Sequence, residues 1–189
     1  MGEIKTWQAM ADTNAERLQR TTGRSVEEWV EAARGAGVDS RAALAAWLKP
    51  QGVSGYSLMS VDWAMFGYPD FILRSVDELY EGQYADRQSL RPIGDRLLAW
   101  ALEADGVEVQ MRKTYISLQT ARRKFAQVTP ATKSAVDVFL RFARPDDPRV
   151  EPARAAKDDP FRWRIRLKTV DDIDDAVLGT LTAARDESL

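Results

Sequence analysis

A short segment near the carboxyl end of the sequence alternates strictly between basic and apolar side chains. The basic positions are Arg162, Arg164, Arg166 and Lys168, and the apolar positions are Phe161, Trp163, Ile165 and Leu167. This alternation predicts a β-strand with one basic face and one apolar face. Basic side chains on such a strand stand about 6.6 to 6.8 Å apart, a spacing comparable with that of phosphates along a nucleic acid strand.

The region around this strand is basic, although the chain as a whole is slightly acidic. Between Arg87 and Lys168 there are 18 lysines and arginines against 10 aspartates and glutamates, whereas the whole chain has a net charge of −2. With aromatic residues such as Tyr115 and Phe139 on the same face, the sheet would suit a single-stranded nucleic acid or a flat anionic ligand. The predicted ligand-binding residues are Lys113, Tyr115, Ser117, Arg141, Arg162, Arg164 and Arg166.

The same basic row also has purely structural interpretations, which the sequence leaves open. Edge strands carry lysine and arginine to avoid pairing with other molecules. The row could also pack on acidic residues of the same chain, because residues 1–80 contain 8 basic and 11 acidic residues. In that case the arginines would form an internal interface without a ligand.

The composition removes most catalytic mechanisms. The chain has no cysteine and no histidine, which excludes disulfides, thiolate nucleophiles, His-dependent triads and His-ligated zinc. Carboxylate pairs, lysine, tyrosine or a lysine-activated serine remain, but no phosphate-binding glycine loop or nucleophile elbow accompanies them. We therefore predict a non-enzymatic binding protein without a cofactor.

The sequence pattern of the amino-terminal region, residues 1–80, predicts a small helical bundle. Apolar residues recur at helical spacing from about Ile4 to Arg20, and Gly23 provides a stop. Ser25 and Glu28 form a capping box for a second helix. A third helix begins at Asp39 or Ser40 and ends before Pro50, and a fourth, mostly apolar helix covers residues 55–66.

The sequence pattern of residues 81–189 predicts an α+β domain. A helix runs from about Pro92 to Ala104, and a last helix begins at Thr169. Alternating patterns between these helices predict a five-stranded, mainly antiparallel sheet, flanked by the two helices. Four prolines between Ala143 and Pro160 indicate a loop. The fold class is therefore α+β, with a helical bundle followed by this sheet domain.

Two tempting motifs have simpler explanations. The third and fourth helices resemble a helix-turn-helix, but the segment from Tyr56 to Tyr68 contains no lysine or arginine to contact phosphates or base edges. Four aspartates near the last helix, at positions 171, 172, 174 and 175, resemble a magnesium site. They lie at a helix amino terminus, where negative charge is stabilised, and we predict no metal.

The sequence also bears on location. No apolar run approaches the length needed to cross a bilayer, and the first residues lack the pattern of a signal peptide. We expect a cytoplasmic protein without a membrane partner.

Several motifs resemble known families. Residues 22–29 (TGRSVEEW) and 46–49 (AWLK) resemble the bacterial domain of unknown function numbered 4287. Residues 113–117 (KTYIS), 123–126 (RKFA) and 170–174 (VDDID) resemble the domain of unknown function numbered 5655. The resemblance implies a small cytoplasmic bacterial protein and brings no established activity. Domains similar to the second are also attached to predicted nucleases.

The functional prediction is thus a binding protein for nucleic acid or another anionic ligand, with two alternatives. The first alternative is a protein that binds or sequesters a small aromatic molecule in a tryptophan-rich cleft. Its tryptophans are Trp7, Trp29, Trp47 and Trp63, which are also typical core residues. The second alternative is a homodimeric structural or assembly partner.

Overall fold

A computed structural model describes residues 4–5, 7–143, 147–154, 156 and 158–189. The described residues combine seven α-helices with a seven-stranded sheet, which confirms the α+β class. They divide into two compact units. One comprises Trp7–Arg74, and the other comprises Ser75–Leu189 together with the amino-terminal strand.

The first unit is a bundle of four short helices. Their bounds are α1 Trp7–Thr22, α2 Val26–Gly35, α3 Arg41–Leu48 and α4 Gly55–Phe66. Helix α1 ends at Gly23, whose φ of 74° needs a residue without a Cβ. Helix α2 begins at the predicted capping box, in which Ser25 and Glu28 accept hydrogen bonds from each other's backbone amides.

Tryptophans belong to the core of this helical unit. Trp29 is buried in one core cluster with Leu18, Leu44 and Val61, and its ring contacts that of Trp47 edge to face. Trp63 is buried in a second cluster, with Trp7 packed against it. These rings therefore stabilise the bundle.

The second unit contains three helices and the sheet. The helices are α5 Val76–Tyr84, α6 Arg91–Glu103 and α7 Asp175–Asp186. The strands are β1 Ile4–Lys5, β2 Glu108–Met111, β3 Ile116–Gln119, β4 Lys124–Thr129, β5 Val136–Leu140, β6 Glu151–Pro152 and β7 Trp163–Leu167. Their order across the sheet is β1-β2-β3-β4-β5-β7-β6.

The predicted count of five strands is wrong, because two strands of two residues each extend the sheet. Strand β1 pairs in parallel with β2, and β6 pairs antiparallel with β7; all other pairs are antiparallel. Two residues are too few to show a period of two, and helical spacing predicted Ile4 as part of the first helix. The five longer strands lie where alternation predicted them.

The sheet domain has three helices instead of the predicted two. Helix α5 begins at a capping box of Ser75 and Glu78, a local signal that sequence reasoning overlooked. The chain passes between the two compact units after Arg74, and the boundary expected at residue 80 falls within α5.

One face of the sheet forms the core of this unit. Its side chains are apolar and almost fully buried, and they include Val109, Leu118, Val128, Val138 and Ile165. Val109 pairs with Leu118 across neighbouring strands, and Val138 pairs with both Val128 and Ile165. Helices α5, α6 and α7 all contact the sheet. The opposite face carries the polar side chains, so it is the face on which the predicted site would lie.

Candidate functional site on the polar face of the sheet

A row of neighbouring residues crosses the polar face from β2 to β7. Gln110, Ser117, Gln127, Phe139 and Arg164 pair in this order, strand by strand. Strands lie about 4.8 Å apart, so Ser117 and Arg164, three strands away, are separated by about 14 Å. The predicted residues Ser117 and Arg164 therefore share a face, but the distance between them is larger than a single small ligand could span.

The predicted contact residue Arg166 is already paired within the chain. Its guanidinium donates two hydrogen bonds to Asp137, at 2.7 and 2.8 Å. These bonds raise the pKa of Arg166 above its usual value. Asp137 is buried and lies directly opposite Arg166 on the adjacent strand. The bidentate geometry is the strongest form of arginine–carboxylate pairing.

Arg164 is also paired with carboxylates. Its Nη1 lies 3.4 Å from Asp137 Oδ2, and its Nε donates to Glu151 Oε1 at 3.1 Å. Glu151 lies on the edge strand β6, opposite Arg164. The middle of the basic row is thus matched by two carboxylates of the same chain.

The other predicted residues lie around this face in varied environments. Lys113 is exposed in the turn between β2 and β3, which Gln83 of α5 holds by donating to the Arg112 carbonyl at 2.8 Å. Ser117 is buried. Arg141 is half-buried after β5, and Arg162 is exposed before β7.

Tyr115 leads to a residue that sequence reasoning missed, Lys124. The Lys124 Nζ lies 4.4 Å from the centre of the Tyr115 ring and 4.7 Å from that of Phe161. It also donates a hydrogen bond to Gln127 Oε1 at 2.6 Å. Two aromatic faces and a carboxamide thus hold the ammonium group in place.

A β-bulge explains why Lys124 and Gln127 meet. In a regular strand, residues three apart point to opposite faces. The register between β3 and β4 shifts next to Gln119, so that Gln119 pairs with Lys124 while Leu118 pairs with Ala126. The extra residue turns the Lys124 side chain to the polar face, beside Gln127. No sequence signal marks this shift, because alternation alone places the two side chains apart.

Two of the residues that contact Lys124 also line a cavity of about 190 Å³. Its lining residues are Gln127, Phe139, Ala153, Arg154, Asp159 and Phe161. Gln127 and Phe161 both contact the Lys124 ammonium group and line the cavity. We call this group of residues, with Lys124 and Tyr115, the Lys124 pocket.

The electrostatics of the Lys124 pocket favour an anion. Burial, with a smaller effect of the nearby Arg112 guanidinium, lowers the pKa of Lys124 to about 8, and Asp159 acts in the opposite direction. Within the described ranges, no carboxylate forms an ion pair with Lys124. Among the described residues, the cavity lining carries one cation, Arg154, and one carboxylate, Asp159, so the Lys124 ammonium group adds an excess positive charge to this group of residues.

A larger cavity, of about 530 Å³, lies along α7 but has fewer groups that could bind a ligand. Its lining is mostly small or apolar, and the Arg149 guanidinium there is already bound to Asp147 and Asp174. The smaller Lys124 pocket is therefore the better candidate, because its cation has no carboxylate partner among the residues described.

The aspartates near the last helix act as caps. Asp172 accepts hydrogen bonds from the backbone amides of Lys168 and Thr169, at 2.7 and 3.0 Å. Asp174 caps α7 by accepting from the amide of Val177 at 3.0 Å. The predicted role at a helix terminus is confirmed. No group of three or more potential metal ligands occurs among the described residues.

The helices are short relative to a bilayer. In the parts of the chain that the structure covers, none is long and apolar enough to cross a membrane.

Comparison with known families identifies the second unit. Residues 76–186 match the family described as Domain of unknown function (DUF5655), and the chain belongs to this family. Comparisons with curated proteins and with solved structures gave no significant match. The resemblance of the helical unit to domain 4287 stays a prediction.

Proposed function

We propose that this protein binds a small anionic molecule in the Lys124 pocket. The observation that carries the proposal is an ammonium group without a carboxylate partner among the described residues. Two aromatic rings and a carboxamide hold it, and the Phe161 ring and the Gln127 carboxamide belong to residues that line the cavity. A ligand carboxylate or similar group would supply the missing counterion.

The dimensions of the cavity support a small ligand. About 190 Å³ lies below the roughly 300 to 1,000 Å³ that is typical of pockets for drug-sized ligands, so the cavity suits a smaller molecule. Phe139 and Phe161 line the cavity and favour a flat molecule. This ligand is smaller than the polyanion that the sequence suggested.

Charge pairing argues against the extended polyanion site. A phosphate that approached Arg164 or Arg166 would compete with Asp137, a buried carboxylate held by both arginines. Breaking such a pair leaves a buried charge uncompensated, which is costly. The basic strand is therefore best explained as part of the sheet's own ion-pair network.

Binding of benzoate, compared with that of its neutral analogue benzamide, tests the proposal. The two probes have nearly the same shape, and only benzoate carries a charge. We expect benzoate at millimolar concentrations to shift the amide NMR signals of residues around Gln127, Phe139 and Phe161, with benzamide at least about tenfold weaker.

Two matched variants locate the site. Lys124→Met keeps the length and apolar character of the side chain but removes its charge, so benzoate binding should be lost. Lys133→Met removes an exposed lysine that pairs with Asp86, and benzoate should bind it as it binds the wild type. Signal shifts centred on Arg162, Arg164 and Arg166 instead, or equal binding of benzamide, would refute the proposal.

A further inference from the structure

We propose that the ligand of the Lys124 pocket is a zwitterion, a small amino acid whose carboxylate and ammonium groups contact opposite charges of the cavity lining. The inference rests on the proposed function and adds a second charged group to the anionic ligand. Two side chains carry it, because Arg154 and Asp159 line the same cavity with opposite charges.

The two charges of the lining are not joined to each other. Neither Arg154 nor Asp159 forms an ion pair with any residue that the structure describes. By contrast, the arginine of the larger cavity, Arg149, is bound to both Asp147 and Asp174. A cation and a carboxylate that line one small cavity without pairing leave room for a ligand that bridges them.

The backbone around Asp159 fixes its carboxylate beside the cavity. Its Oδ1 accepts a hydrogen bond from the Phe161 amide at 2.9 Å, and its own amide donates to the Ala156 carbonyl at 3.0 Å. The second oxygen, Oδ2, accepts no hydrogen bond within the described part of the chain. A carboxylate held through one oxygen can accept hydrogen bonds from a ligand ammonium group with the other.

Arg154 follows directly after the edge strand β6. The amide of Ala153 donates to the Arg162 carbonyl at 2.8 Å, so the backbone stays beside β7 up to the residue before Arg154. A guanidinium group can donate two parallel hydrogen bonds to a carboxylate. Because Arg154 is exposed, we expect this contact to add modestly to the affinity.

The balance of charge favours a zwitterion over a simple anion. A ligand that carries only negative charge would lie near Asp159, and placing like charges together is costly. In a zwitterion the ammonium group pairs with Asp159, while Arg154 and the excess positive charge of Lys124 favour the carboxylate. The rings of Phe139 and Phe161 suit an apolar side chain on the same molecule.

Phenylglycine and phenylacetate form a matched pair of probes, because they differ only in the α-ammonium group. Their binding at neutral pH is followed by the amide NMR signals of Gln127, Phe139 and Phe161. We expect the better-binding enantiomer of phenylglycine to bind at least about fivefold tighter than phenylacetate. N-acetylphenylglycine, in which a neutral amide replaces the ammonium group, should lose this advantage.

Two aspartate variants locate the group that binds the ammonium. Asp159→Asn keeps the side-chain size and the acceptor for the Phe161 amide, so phenylglycine and phenylacetate should then bind within about twofold of each other. Asp158→Asn changes the net charge equally at an exposed residue outside the cavity lining, and the fivefold ratio should persist. The ratio is the readout, because a general attraction for carboxylates affects both probes alike.

The outcomes separate this inference from the proposed function. If phenylacetate binds beside Gln127 and Phe161 but phenylglycine binds no tighter, the zwitterion is refuted and the anion site stands. Persistence of the fivefold ratio in Asp159→Asn would also refute it. If neither phenylacetate nor benzoate shifts these signals, the proposed function itself fails.

Discussion

The basic strand β7 and the Lys124 pocket lie on the same face of one sheet, but their cations differ in availability. The sequence pattern predicted Arg164 and Arg166 as ligand contacts, but both are paired with carboxylates on neighbouring strands. No sequence pattern predicted a role for Lys124. Its partners are aromatic rings and a carboxamide, and two of these partner residues line a cavity. The number of cations on a strand thus says little about binding, because cross-strand neighbours decide which cations are already neutralised.

The largest expected effect concerns the buried carboxylate of the β7 network. Asp137→Asn removes the charge that holds Arg164 and Arg166, while keeping the size of the side chain. We expect a loss of about 2 kcal/mol in the free energy of unfolding, measured by urea denaturation. Asp86→Asn, at an exposed ion pair with Lys133, should cost less than about 0.5 kcal/mol. Equal losses in the two variants would contradict the central role of Asp137.

The same substitution also tests whether pairing with Asp137 prevents the basic strand from binding nucleic acid. Asp137→Asn should strengthen binding of a short single-stranded RNA by about tenfold over the wild type at low salt, because two guanidinium groups lose their internal partner. Asp86→Asn changes the net charge by the same amount and serves as the control in a fluorescence anisotropy titration. Tight RNA binding by the wild type would restore the β7 row as a binding site.

The difference in stability between the Lys124→Met variant and the wild type should depend on pH. Its pKa is lowered in the folded protein, so folding disfavours the protonated form; the penalty is complete below pH 8 and fades as the pH rises towards 10.5. Lys124→Met removes the penalty and should therefore gain stability relative to the wild type at pH 7 but not at pH 10. We expect a change of about 1 kcal/mol, because solvent screens part of the effect.

Urea denaturation at several pH values measures this difference, and Lys133→Met is the control. The groups near Lys124 that also carry charge are Arg112 and Asp159. A difference between Lys124→Met and the wild type that stays constant with pH would contradict the lowered pKa.

The smallest effect is expected at the edge of the sheet. Glu151→Gln removes the second partner of Arg164, but Glu151 is exposed, and exposed ion pairs contribute little. We expect a loss of less than about 0.5 kcal/mol in the free energy of unfolding and unchanged benzoate binding. A loss as large as that of Asp137→Asn would show that the edge strand supports the network more than its exposure suggests.

Local signals predicted much of this fold. The Ser25 and Glu28 box, the Ser40 cap and the stop at Gly23 appear in the structure where the sequence placed them. The two-residue strands were missed, because too few residues alternate to reveal them. The candidate site was only partly predicted: Tyr115 belongs to the Lys124 pocket, whereas Arg164 and Arg166 belong to an internal network.

The sequence by itself determined the helix caps, the longer strands and the basic face of β7, because each depends on side chains close together along the chain. Only the tertiary structure decided that Asp137 lies opposite Arg166 and that a bulge turns Lys124 towards Gln127. Both depend on strand register, which is set by contacts between distant segments. The availability of a charge for binding is therefore a property of the folded sheet.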